Sequence, residues 1–98
     1  MEVQYRSTQL RKVCEDARAA TKKYGKTMAE KKQLRIDQIS SAESVETLVR
    51  YGIGRCHALK GDRDGQYAMD LTHPYRLVFE KVNQRIVAVE ILEIIDYH

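Results

Sequence analysis

Residues 86–98 read IVAVEILEIIDYH, and this closing stretch decides the fold. Apolar residues occupy both alternating sets: Val87, Val89 and Ile91 on one, and Ile86, Ala88, Leu92 and Ile94 on the other. A strand that is apolar on both faces is one covered on both sides. The run then passes directly into a carboxylate, a phenol and an imidazole, Asp96, Tyr97 and His98, which packing alone does not explain.

Working back from that strand, alternation persists to Gly54. RCHALK, QYAMDL and YRLVFE read as three further strands, separated by turn signals at GDRDG and before the last strand at VNQR. The spacing predicts an antiparallel meander. Upstream of Gly54 the period changes to that of helices. EVQYR alternates briefly as a first strand, and Leu10, Val13, Cys14 and Ala17 then recur at helical spacing behind a Ser7 or Thr8 cap. Thr27 and Glu30 have the T-x-x-E form of a capping box, predicting a second helix through Ile36 and Ile39. SSAESVETLVRYG predicts a third, with Val45, Leu48 and Val49 as its apolar stripe and Gly52 as its stop. The expected class is α+β: a small twisted antiparallel sheet with two to three N-terminal helices packed on one face.

The chain has 98 residues, of which 43% are hydrophobic, enough for one compact domain over 1–98 and too few for a second. No run approaches the roughly 18 apolar residues of a spanning helix, and MEVQYRSTQL lacks the apolar centre of a signal peptide, so the expected compartment is the cytoplasm with no membrane partner. Cys14 and Cys56 are then expected as free, buried thiols rather than a disulfide. Cys56 and His57 are neighbours on a strand and point to opposite faces, and no C-x-x-C or H-x-x-x-H spacing occurs, so no metal or cofactor is expected. Charge is uneven. Residues 1–36 carry ten Lys/Arg against four Asp/Glu, and residues 37–98 carry seven against ten. A basic front half suits a polyanionic partner, although such charges also serve as ordinary solvated helix faces.

The polar residues of the strand block carry the chemistry. In YRLVF, Tyr75, Leu77 and Phe79 share one face and send Arg76 to the other, where it needs an anion: a carboxylate such as Glu80, Asp70 or Glu90, or a substrate phosphate. In HALKGDR, His57 and Lys60 stand beside a turn that also carries Arg63. A strict strand places His57 and Lys60 on opposite faces, so they converge only if the backbone twists into the turn.

Taken together, GRCHALKGDRDGQYAMDLTHPYRLVFE and the terminal DYH resemble the HigB branch of the RelE/ParE toxin superfamily, and HPYRLVFE resembles its subgroup often labelled killer-suppression proteins. The resemblance spans about Gly54 to His98 and is poor over the helices; Ala58 and Gln66 depart from the common pattern. It implies the toxin of a type II toxin–antitoxin pair, an endoribonuclease that cuts messenger RNA in the ribosomal A site, neutralised by a helix-turn-helix antitoxin of the HigA kind. By motif, the implied functional positions are His57, Lys60, Arg76, Asp96, Tyr97 and His98.

The residue types agree with that chemistry. Metal-free RNA cleavage needs a base for the ribose 2′-hydroxyl, cations for charge building on the phosphate, and an acid for the departing 5′-oxygen. His98 and His57 supply the acid and base, since imidazole works in either direction near neutral pH. Arg76 and Lys60 hold the phosphate with Arg63 beside them, Asp96 orients a neighbouring cation or imidazole, and Tyr97 stacks on a base or donates a proton. A gyrase-inhibiting ParE-like toxin, or an inactive module binding RNA or antitoxin, would share the fold.

Overall fold

The computed structural model describes residues 1–82 and 88–96. Among these residues five strands form one sheet in the order β1-β5-β4-β3-β2: β1 is Glu2–Tyr5, β2 His57–Ala58, β3 Gln66–Asp70, β4 Tyr75–Lys81 and β5 Ala88–Asp96. From β2 to β5 the pairing is antiparallel, as the alternation predicts. The first strand differs. It pairs in parallel with β5, Glu2 opposite Ala88 through Tyr5 opposite Ile91, so the sheet is mixed. A helical segment carries the chain from β1 at one edge to β2 at the other, and the meander then returns to bring β5 beside β1, the long connection that parallel neighbours require.

Four α-helices fill the connection from β1 to β2: α1 (Thr8–Glu15), α2 (Ala17–Tyr24), α3 (Lys26–Ser41) and α4 (Val45–Arg50). The single first helix expected from the sequence is two, because Asp16 breaks it. Its backbone is extended (φ −104°, ψ 108°) and its carboxylate accepts from the amides of Arg18 and Ala19, capping α2. Ser7 rather than Thr8 caps α1, accepting from Leu10 N at 3.1 Å. The Thr27–Glu30 capping box does not form. Gly25, at φ +88°, makes the entry and α3 is already under way at Lys26, leaving Thr27 inside the helix. The third expected helix is α4, capped by Ser44 and stopped at Gly52 in the left-handed region.

The main core lies between helices and sheet. Met28, Ile36 and Ile39 of α3 and Val45 and Leu48 of α4 meet Met69, Leu77, Phe79, Val89 and Ile91 from the sheet. Burying side chains of this size contributes about 1.5–3 kcal/mol each, and this layer makes the sheet a fixed platform. Both thiols are free and buried, as expected. Among the helices one cation is also buried. Lys32, 2% exposed, donates from Nζ to the Cys14 carbonyl at 2.7 Å and to Gln33 Oε1 at 3.1 Å, satisfying the C-terminal turn of α1. Burial pulls its pKa down.

Among the described residues the other sheet face carries no helix. Its apolar centre is Leu59, Ala68, Val78 and Leu92 with Ile95 against them, so β5 is apolar on both sides. The expected assignment of faces on β5 needs one correction. Val78 lies opposite Glu93 and Phe79 opposite Ile91, leaving Leu92 as the extra residue of a β-bulge. The bulge shifts the alternation, so Ile94 packs with Ile91 on the helix side rather than with Leu92. Ile86, Val87 and most of the VNQR turn lie outside the described residues. Among the described residues no helix is long and apolar enough to cross a membrane.

Candidate functional site

Strand register brings the sequence-predicted residues of β2 and β4 onto the helix-free face. His57 pairs with Ala68, Ala68 with Val78, and Arg76 with Asp70. Ala68 and Val78 belong to the apolar centre of that face, so His57 and Arg76 stand on the same side of the sheet. With strands about 4.8 Å apart and a two-residue offset along the strand, their Cα atoms are roughly 12 Å apart, within reach of one phosphodiester for two side chains leaning inward. Cys56, next to His57, goes into the opposite core, as the alternation requires.

The imidazole is oriented by the backbone before it. His57 Nδ1 lies 2.8 Å from the Arg55 carbonyl oxygen. A carbonyl can only accept, so Nδ1 carries the proton, and in the neutral ring Nε2 is left with its lone pair. Sequence alone could not choose that tautomer.

Arg76 meets Asp70, one of the three carboxylates anticipated for it: Nε lies 3.5 Å from Oδ1, with the two side chains 29% and 27% exposed. The same carboxylate receives Arg55, whose Nε is 3.3 Å from Oδ2. A third guanidinium arrives from α3, where Arg35 Nε donates to the Asp70 backbone carbonyl at 2.6 Å and Nη1 to Gln38 at 3.0 Å. Gly54 makes room for it. A Cβ there would stand 2.7 Å from Arg35 Nε.

The remaining candidates are dispersed. Lys60 is exposed where the chain enters a single 3₁₀ turn, Gly61–Arg63, after β2 has ended at Ala58. Arg63 is held by Glu93, Nη2 to Oε1 at 2.5 Å, and by Gln66, Nη1 to Oε1 at 2.9 Å. Both partners lie on the helix-free side, so Arg63 borders the same face from its other end. Asp96 pairs with Tyr75, and Tyr75 packs edge-on against Tyr24 of α2, so the register sets Asp96 on the helix side of the sheet end. Tyr97 and His98 lie outside the described residues. Among the described residues no group of three His, Cys, Asp or Glu side chains is placed to hold a metal.

In the sequence Asp70 stands out only as a possible partner of Arg76, and neither Arg35 nor Arg55 is singled out. The one local signal was Gly-Ile-Gly-Arg, where two glycines before an arginine mark unusual backbone. The contacts with Asp70 are long-range and appear only once the strands pair.

No family model and no curated protein matches this chain. Solved structures do. The YoeB–YefM complex of Staphylococcus aureus superposes with a TM-score of 0.64 at 23% identity, covering 100% of this chain and 97% of that one. The YoeB dimer of the same organism gives 0.62 at 24% identity over 100% and 97%. The YoeB/ParE toxin of Agrobacterium tumefaciens gives 0.60 at 19% identity over 100% and 99%. From end to end, the chain has the α+β fold of the YoeB/ParE toxin structures, its helices laid against a mixed, mostly antiparallel sheet.

Proposed function

We propose that this chain is the toxin of a type II toxin–antitoxin pair and acts as a metal-independent endoribonuclease on messenger RNA engaged by the ribosome. The observation that carries the reading is the placement of His57 and Arg76 on one helix-free sheet face, with the His57 tautomer set by the Arg55 carbonyl. The fold of the YoeB/ParE toxins supports it, as do the HALKGDR, YRLVF and DYH motifs.

His57 Nε2 is the group available to take the 2′-hydroxyl proton, and the Nδ1–H bond to Arg55 steadies the imidazolium that results. Arg76 stabilises charge building on the scissile phosphate, with Lys60 and Arg63 holding flanking RNA. From the motif, His98 is assigned the acid for the 5′-oxygen, Asp96 an orienting role and Tyr97 a stacking one. Attack by the 2′-oxygen forms the bond to phosphorus as the bond to the 5′-oxygen breaks, leaving a 2′,3′-cyclic phosphate and a 5′-hydroxyl. The apolar floor of Leu59, Ala68, Val78 and Leu92 gives His57 and Arg76 a rigid surface to stand on.

A protein antitoxin is the expected partner. The S. aureus YoeB structure was solved with YefM, and the motif resemblance makes a helix-turn-helix protein of the HigA kind the one to seek. Pulse labelling after induction without antitoxin tests the reading against gyrase inhibition, which the same fold would permit. Protein synthesis should fall first. A collapse of DNA synthesis while messenger RNA stays intact would overturn the nuclease reading.

A further inference from the structure

We propose that Arg55 is a substrate-binding residue whose guanidinium leaves Asp70 to hold an RNA phosphate adjoining the one addressed by His57 and Arg76, with Asp70 the positioning residue that holds the two arginines side by side until RNA arrives. The inference rests on the ribonuclease reading.

Its starting point is backbone strain. Arg55 has φ +55°, the one non-glycine residue at positive φ among the described residues. A side chain is disfavoured there because Cβ crowds the neighbouring backbone. Gly52 at φ +60° and Gly54 at φ +58° precede it, so the bend could have been completed with a third glycine at no steric cost. The arginine must therefore be accounted for by its side chain. The ion pair with Asp70 is a poor account: the Arg55 side chain is 79% exposed and touches the carboxylate at a single 3.3 Å contact. Pairs this open contribute little to stability.

The surroundings favour an anion instead. Arg55 and Arg76 take one oxygen each of the Asp70 carboxylate, and Arg35 takes its backbone carbonyl. Three guanidiniums thus gather around Asp70 at the end of the sheet where His57 stands. Arg35 is tied to Asp70 and Gln38 and braced under Gly54, and Arg76 is 29% exposed, so Arg55, 79% exposed, is the member open to a ligand. Because its carbonyl holds His57 Nδ1, the same residue that would bind phosphate also sets the imidazole. A guanidinium offers two parallel donors to a phosphate, a better match than its one contact here.

The test is binding of a short, uncleavable 2′-O-methyl RNA, followed by fluorescence anisotropy over a salt series. Arg55→Ala should weaken binding about tenfold and flatten the plot of log affinity against log salt by about 0.7, the loss of one phosphate contact to single-stranded RNA. Arg55→Lys should keep the slope. Arg50→Ala, which removes an exposed cation from α4, should change neither. Arg55→Gly separates binding from structure: relief of strain should leave the melting temperature unchanged or higher while RNA binding falls. Wild-type affinity and slope in Arg55→Ala, a marked fall in melting temperature in Arg55→Gly, or no RNA binding by the wild type would each overturn the proposal. Messenger RNA cleavage by the wild-type chain in cells, read in parallel, separates the two readings. Cleavage with Arg55-independent binding defeats this inference alone. Arg55-dependent binding without cleavage defeats the ribonuclease reading and leaves Arg55 as an RNA contact.

Discussion

Replacing His57 by Asn separates its two ring nitrogens. The Asn amide nitrogen falls near the position of Nδ1 and can still donate to the Arg55 carbonyl, a bond of 2.8 Å in the structure, whereas nothing replaces Nε2. Two magnitudes then diverge. A bond of this kind contributes about 0.5–1.5 kcal/mol, and the lower end applies to a partly exposed ring. His57→Asn retains it, so the melting temperature should hold, while His57→Ala should lose a few degrees at the roughly 4–8 °C per kcal/mol of a domain this size. Loss of a general base costs about 10²- to 10⁴-fold in rate. That is roughly 2.7–5.4 kcal/mol of transition-state stabilisation, several times the structural effect. The assay is single-turnover cleavage of a messenger RNA on purified ribosomes, alongside thermal melts by circular dichroism. His57→Gln, which reaches toward the Nε2 position with an amide that cannot serve as a base, should be equally inactive. Wild-type cleavage by His57→Asn would refute the assignment, and a large fall in its melting temperature would show the ring to be structural.

Arg76→Ala should reduce cleavage about 10²- to 10³-fold. Its stability should fall by no more than about 1 kcal/mol, because the pair is 29% and 27% exposed and Arg55 stays on Asp70; aggregation or a collapsed melting temperature would instead mark Arg76 as a structural ion. Burial pushes the Cys14 and Cys56 thiols up from 9.0 to about 11, so their stabilising effect is fully present below pH 9 and lost as pH rises through 11. The melting temperature should therefore drop across that window, and a Cys14→Ala/Cys56→Ala protein, less stable at neutral pH, should show a flatter profile. Gly54→Ala should destabilise by about 1–2 kcal/mol, since it places a side chain at φ +58° and drives a methyl to 2.7 Å from Arg35 Nε. An unchanged melting temperature there would mean that Arg35 is not braced as described.

What was legible in the sequence follows from which interactions are local. Alternation from Arg55 onward located β3 and β4, and Gly52 located the end of α4, because pleat and left-handed caps are properties of neighbouring residues. The parallel partnership of β1 with β5 was not legible, since a four-residue alternating stretch carries no record of its neighbour's direction. Nor was the Leu92 bulge, which reassigns Ile94 without altering the apolar character of the strand. The Thr27–Glu30 pattern misled because a glycine at positive φ two residues earlier already started the helix. At the site, His57 and Arg76 were readable from motif and alternation. The Arg55–Asp70–Arg76 arrangement was not, because it joins the loop before β2 to the ends of β3 and β4.

The most direct measurement is to map messenger RNA 5′ ends shortly after the chain is induced without antitoxin, capturing 5′-hydroxyl ends separately from 5′-phosphate ends. Attack by the 2′-oxygen predicts new 5′-hydroxyl ends within translated frames, absent from cells expressing His57→Asn. Intact messenger RNA under growth arrest, or new ends carrying only 5′-phosphate, would contradict the account.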